Sequence, residues 1–283
     1  MQLVTPTEKP EWTVSGLCAA RISRAVGAKA AKVCINPSLL NNGLYVRCRN
    51  CWQCRSRHVD DWAGRCIAES KTSKACNFVT LTYGTNEDGE KLHPRAVLLT
   101  YSDIQKYLKK LRKAGYPCRY FCVGEYGSLK GRAHWHLIIF WQDKVPPHTL
   151  NKRIHEQHWV HGFSQWEKVN YTNIRYCAKY MRKDAMPGRQ AHFSMSKKPP
   201  IGAEYFRRLA EKYVDQGLAP QDLTYIHPEV IGTGKKPRKF TLFGKSADIY
   251  LQAYIDIWAE KRGGHFPQSD LIDDWMDKKY AYE

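Results

Sequence analysis

Residues 132–141 read RAHWHLIIFW, and this stretch restricts the fold more tightly than any other in the chain. From Trp135 onward it is short, apolar and rich in aromatic and β-branched residues, the mark of a buried strand rather than a helix. Residues two apart in a strand share a face, so His134 and His136 project together while Trp135 packs the other way. Polar rings on such a strand need partners. A pair of satisfied core histidines is one solution. The other is a rigid two-imidazole platform for a metal ion.

The surrounding pattern is mixed. NFVTLTYGT (77–85) alternates as a strand, and CRYFCVGEYG (118–127) is a second strand joined to RAHWHLIIFW by a short GSLKG link. A helix is expected near His58–Ser70, with Trp62, Cys66 and Ile67 on one face. Ser102 opens another, with Gln105 completing a capping box, Ile104, Tyr107, Leu108 and Leu111 as its stripe, and Gly115 at its end. Further helices are expected near 148–158, 171–184, 203–215, 246–261 and 268–280. GTGKKPRKF (232–240) is expected as a basic loop. The chain divides on this reading into an N-terminal cysteine segment (1–76), a core (77–187) and a basic, mostly helical region (188–283).

Antiparallel pairing through the GSLKG link brings Glu125 toward the histidines. One carboxylate beside two imidazoles, with open positions, suits Mg²⁺ or Mn²⁺; a rim charge is the alternative. On a helix through RYCAKYMRKD (175–184), Ile174, Ala178 and Met181 face inward. Tyr176 and Tyr180 then neighbour each other on the opposite face with Lys179 and Lys183 beside them. A phenol is a weak nucleophile until its proton is removed, and a nearby ammonium favours the phenolate. Paired phenols beside a metal suit attack on phosphodiesters.

Forty-five Lys and Arg against 27 Asp and Glu give a formal net charge of +18, which points to a polyanionic partner. The N-terminal residues have no signal-peptide core and no run approaches the roughly 18 apolar residues of a membrane span, so a reducing cytosol is expected. Ten cysteines there argue for metal ligation or buried thiols over disulfides. Cys48, Cys51 and Cys54 form a C-x₂-C-x₂-C run; with Cys34 they make a structural Zn²⁺ site, although Cys18, Cys66 and His58 compete for the fourth position. Arg47, Arg49, Arg55, Arg57 and Trp52 interleave with this run, in a pattern suited to phosphates and an unpaired base. Lys197 and Lys198 are candidate phosphate contacts. GTGKKPRKF lacks the spacing of a Walker loop, and His155 and His158 stand three apart where a zinc-protease helix needs four.

AHWHLIIFW resembles the histidine–hydrophobe–histidine (HUH) motif of rolling-circle replication initiators, NFVTLTY resembles their first motif, and YCAKYMRKD is similar to their two-tyrosine motif. The cysteine segment, WVHGF and KKPPIGAEYF look like the initiators of microviruses, particularly gokushoviruses. The resemblance spans about residues 34–206. It implies an α+β fold with a five-stranded antiparallel sheet and flanking helices. It implies His134 and His136, with Glu125, as metal ligands, and Tyr176 and Tyr180 as nucleophiles that form a 5′-phosphotyrosyl link to origin DNA in the host bacterial cytoplasm. The free 3′-OH would prime the host polymerase, and the C-terminal region would hold DNA or a host helicase. A relaxase or single-strand transposase shares the same site, and a non-catalytic zinc-bearing nucleic-acid-binding protein shares the composition.

Overall fold

The computed structural model describes residues 34–41, 45–84, 94–127, 131–181 and 192–280. In chain order the elements are strands β1 (Ser38–Leu39) and β2 (Tyr45–Val46), helix α1 (Trp52–Thr72), strand β3 (Ala75–Tyr83) and helix α2 (Tyr101–Lys113). Strands β4 (Cys118–Tyr126), β5 (Ala133–Trp141), β6 (Arg153–Glu156) and β7 (Trp159–Lys168) follow, then helix α3 (Tyr171–Tyr180) and strand β8 (His192–Met195). Helix α4 (Ala203–Asp215), strands β9 (Thr224–Ile231) and β10 (Pro237–Thr241), and helices α5 (Lys245–Lys261) and α6 (Asp270–Tyr280) complete the chain. Contacts divide it into two units, Met1–Cys54 with Gln268–Glu283, and Arg55–Pro267. No helix among the described residues is long and apolar enough to cross a membrane.

The larger unit is built on an antiparallel sheet in the order β6-β7-β3-β5-β4-β8. Strand β5 lies inside it, with β3 and β4 on either side. Its apolar run is consistent with this place, because a strand covered on both faces has no polar side to present. Trp135, Leu137, Ile139 and Trp141 enter one core with Ile104, Tyr107, Leu108 and Leu111 of α2. Each such side chain contributes roughly 1.5–3 kcal/mol by leaving water. The opposite face carries Phe78, Phe121, Ile138, Phe140 and His136, all buried. Trp62 of α1 packs on Phe121, ring centres 5.2 Å apart, and Tyr176 of α3 packs edge-on to His136 at 5.1 Å.

The α+β class and the strands read at 77–85, 118–127 and 132–141 agree with the structure, as do the helices beginning near 203, 246 and 268. Four expectations change. The main sheet has six strands among the described residues, not five. The segment 148–158 is not a helix: Arg153–Glu156 pairs with β7, and the buried Trp159 and Trp166 anchor β7 beside β3. GTGKKPRKF is half strand, since Pro237–Thr241 pairs with β9. Helix α2 begins one residue before Ser102, with Thr100 at its cap and no side-chain cap bond. Asp103 is instead buried in that first turn, where it accepts from Tyr83 at 3.1 Å and pairs with Arg95.

Gly162 marks the tightest strand approach. A Cβ placed there would lie 2.2 Å from the Gly84 nitrogen and 2.3 Å from the Thr82 carbonyl oxygen. Only a residue without a side chain lets β7 close on β3 at that point.

Candidate active site

Strand register assembles the site. Glu125 pairs directly with His134, and Val123 with His136, so the carboxylate and both imidazoles lie on one face of β4 and β5. Glu125 Oε2 is 3.5 Å from His134 Nε2 and 3.3 Å from His136 Nε2. The three side chains offer ligand atoms within 4.8 Å of one another.

The tautomers are set from behind. His134 Nδ1 lies 3.1 Å from the Arg132 carbonyl oxygen, which can only accept, so Nδ1 carries the proton and Nε2 presents a lone pair. His136 Nδ1 lies 3.1 Å from Thr80 Oγ1, which allows the same arrangement. His136 Nε2 is buried and makes no well-aligned hydrogen bond. A buried imidazole nitrogen left open beside a carboxylate and a second imidazole is the donor set of a divalent-cation site, and these residues fit such an ion.

Burial holds the His134 ring below its ordinary range, and the neighbouring His136 adds to this, so it stays neutral at neutral pH. Burial alone would push Glu125 up. Hydrogen bonds from His136, Tyr176 and Tyr180, with His134 alongside, outweigh it and hold the carboxyl at about 2. Every ligand is therefore in its metal-binding form.

Helix α3 delivers the tyrosines. Asn170 and Asn173 form a reciprocal capping box, at 2.9 and 2.8 Å, that sets where the helix begins. Ile174, Cys177, Ala178 and Met181 are buried beneath it. Tyr176 and Tyr180 sit one turn apart with ring centres at 4.5 Å. The Tyr176 hydroxyl donates to Glu125 Oε2 at 2.7 Å, the oxygen that faces both histidines. Burial, Tyr180 and Glu125 together push the Tyr176 phenol well above its ordinary range, so it holds its proton here.

The lysines do not fill the role expected for them. Lys179 is exposed, and the groups that set the Tyr176 phenol are Glu125 and Tyr180 rather than an ammonium. Lys183 lies outside the described residues. Sequence reasoning missed Asp60, which binds Arg175 of α3 at 3.3 Å and Arg238 of β10 at 2.7 Å. It ties the tyrosine helix to α1 and to the β9–β10 hairpin, and no local pattern marks a partner 115 residues away.

The cysteine cluster forms as expected, with Cys34 as the fourth member. Its Sγ is 3.5, 3.9 and 3.6 Å from those of Cys48, Cys51 and Cys54. Backbone N–H groups of Cys48 and Cys51 donate to Cys34 and Cys48 sulfurs, both at 3.3 Å. Hydrogen bonds from backbone N–H groups lower the Cys51 thiol to about 6. The cluster can hold a metal. Cys66 and His58 are not part of it, and Cys18 lies outside the described residues. Trp52 is 68% exposed, Arg49 and Arg55 are exposed, and Arg57 lies over the Phe243 ring at 3.4 Å. Lys197 and Lys198 are exposed after β8.

Residues 76–185, which include every histidine, carboxylate and tyrosine of the site, match the family described as Replication-associated protein ORF2. The chain is similar to Replication-associated protein ORF4 of Chlamydia phage 1, 28% identical over 160 residues, covering 50% of this chain and 39% of that protein. It is 28% identical over 195 residues to Replication-associated protein VP4 of Bdellovibrio phage phiMH2K, covering 60% of each. It is 29% identical over 157 residues to Replication-associated protein ORF2 of Spiroplasma virus 4, covering 49% of this chain and 48% of that protein. The chain thus spans less than two thirds of each relative's length. No solved structure matches it. The stretch that bears the two histidines and the tyrosine helix is therefore similar to the replication-associated proteins of phages, in agreement with the resemblance to phage rolling-circle replication initiators carried by its ordered motifs.

Proposed function

We propose that this chain is an HUH-type replication initiator that nicks one strand of circular phage DNA at the origin and later rejoins it. One observation carries the reading: the Tyr176 hydroxyl lies 2.7 Å from the same Glu125 oxygen that faces both histidine Nε2 atoms. An attacking group and a cation site thereby share one point in space, as phosphoryl transfer requires.

Glu125, His134 and His136 would hold Mg²⁺ or Mn²⁺, which when bound draws charge from the scissile phosphate. The Tyr176 oxygen bonds to phosphorus, the bond to the preceding 3′ oxygen breaks, and the phenol's proton is given up as the 3′ oxygen gains one. The product is a 5′-phosphotyrosyl link and a free 3′-OH that primes a host polymerase. Tyr180, one turn away, attacks the regenerated origin after a round of synthesis, and the released 3′-OH displaces the first tyrosine to close the circle. Residues 77–187 are the catalytic core on this reading. Lys197 and Lys198 contact phosphates, and the C-terminal region holds DNA or a host helicase in the bacterial cytoplasm. The four thiolates hold a structural Zn²⁺: at a Zn–S length of about 2.3 Å, tetrahedral geometry puts sulfurs about 3.8 Å apart, and those around Cys34 lie at 3.5–3.9 Å.

The test is a covalent band. Purified protein is incubated with labelled single-stranded origin DNA and Mn²⁺, then run on a denaturing gel. Wild type should form a protein–DNA adduct that Tyr176→Phe with Tyr180→Phe abolishes while binding persists. An adduct in the double variant refutes the tyrosine assignment. No adduct from wild type favours a non-catalytic nucleic-acid-binding protein.

A further inference from the structure

The segment around the cysteine cluster is built unlike the rest of the surface. Between Cys34 and Val59 the sequence contains Arg47, Arg49, Arg55 and Arg57 and no Asp or Glu. The first acidic residue after Cys34 is Asp60. Leu39 pairs with Tyr45 across the β1–β2 hairpin, and the two are 59% and 51% exposed. Trp52, one residue past Cys51, is 68% exposed, more than any other large hydrophobic residue described. A tryptophan and a tyrosine held out in water beside a thiolate cluster are costly unless something covers them.

Arg47 makes the second observation. All three of its guanidinium nitrogens are shielded from solvent and have no hydrogen-bond partner. A shielded cation without partners is stabilised when an anion comes alongside. Arg49, exposed between Cys48 and Cys51, holds the left-handed backbone conformation at φ 62°. Uncompensated guanidinium groups, no competing carboxylates and flat aromatic faces together fit one class of ligand. A single-stranded nucleic acid offers phosphates to the former and unstacked bases to the latter.

We propose that this cysteine knuckle is a second DNA-binding surface, separate from the nicking site, which binds single-stranded DNA. Tyr45 and Trp52 stack on bases while Arg47 and Arg49 meet phosphates. The proposal rests on the zinc reading only for what holds the knuckle in shape, so the two can fail separately.

The experiment uses the full-length protein and a fluorescein-labelled oligothymidylate, which has no origin sequence. Zinc content is measured by mass spectrometry, affinity by fluorescence anisotropy, and the contact by ultraviolet cross-linking to a bromodeoxyuridine-substituted strand with peptide mapping. Wild type should cross-link within the peptide that contains Tyr45 and Trp52. Trp52→Ala, whose side chain is exposed and supports no core, should keep its zinc, lose that cross-link and bind about tenfold more weakly. Arg49→Ala should reduce the slope of log affinity against log salt by about 0.7. Cys54→Ser should lose both zinc and the cross-link. Unchanged affinity in Trp52→Ala, with cross-links mapping elsewhere, overturns the DNA surface. A protein that carries no zinc yet still depends on Trp52 refutes the zinc reading and leaves the surface standing.

Discussion

Glu125 and His134 stand directly opposite each other in the β4–β5 register, and Glu125 Oε2 reaches 3.5 Å from His134 Nε2 and 3.3 Å from His136 Nε2. A slip of one residue would turn the carboxylate to the other face of the sheet. The geometry of the site is therefore a consequence of strand pairing, and it yields tests that do not require the natural origin sequence.

Thr80 lies behind His136, 3.1 Å from Nδ1. Thr80→Val keeps the side-chain shape and removes that bond, leaving the ring free to take the wrong tautomer. Mn²⁺ affinity, read by titration calorimetry, should fall about tenfold, the lower end of the range for such supporting contacts. Excess Mn²⁺ should restore adduct formation. Because His134 is held neutral by burial and Glu125 stays charged down to about 2, affinity in wild type should vary little from about pH 6.5 to 8.5. It should weaken only at lower pH, where protons compete for the imidazoles. A steep rise in affinity across neutral pH would contradict this assignment.

Asp60 joins α1 to the tyrosine helix through Arg175 and to β10 through Arg238. Asp60→Ala leaves two guanidinium groups without their shared acceptor. All three side chains are partly exposed, so a loss of about 1–2 kcal/mol is expected. Thermal unfolding should shift down by about 3–6 °C. Asp60→Asn, which keeps one acceptor oxygen, should fall between. A melting point equal to wild type in both variants would show that the bridge stabilises nothing.

Asp61 is pushed up to about 6 from an ordinary 3.8, chiefly by burial, with Arg65 and Arg57 opposing. Its Oδ1 has no hydrogen-bond partner, and Arg65 Nη1 is 3.9 Å from Oδ2. The folded protein binds this proton more tightly than the unfolded chain does. The charged form therefore destabilises the fold above pH 6, and that penalty is relieved as pH falls through 6 toward the ordinary carboxylate range. A separation of that size is worth roughly 3 kcal/mol at most. Asp61→Asn should raise urea-unfolding stability at neutral pH by about 1–3 kcal/mol and remove its share of the gain on acidification. A variant less stable than wild type at neutral pH would sink this reading.

Gly162→Ala places a methyl group on the Thr82 carbonyl oxygen and the Gly84 nitrogen, both backbone atoms that cannot swing aside. The strands must part, at a cost of about 2–4 kcal/mol, the upper part of the range for overpacking. Gly115→Ala is the matched control. Its φ of +86° carries backbone strain, but no atom lies within 4 Å of the added methyl group. Chemical denaturation of both should show the larger loss at Gly162.

Local chemistry alone determined the parts of the site. Alternation along β5 put His134 and His136 on one face with Trp135 behind them, and the four-residue spacing made Tyr176 and Tyr180 neighbours. The cysteine spacing marked three members of the cluster. These are short-range facts, settled by strand and helix periods that every chain obeys. Tertiary structure decided what those periods leave open. IHEQH could belong to a helix or a strand until Trp159 and Trp166 were buried beside β3, and GTGKKPRKF gave no sign of the β9 partner that makes half of it a strand. Lys179 stood beside the tyrosines in sequence, yet the Tyr176 hydroxyl meets Glu125, because a helix face meets whatever the sheet beneath it presents. Choosing Cys34 over Cys66, and joining Asp60 to Arg175, required chain closure over many residues. Such contacts form only when the apolar faces have found each other, and no local pattern encodes them.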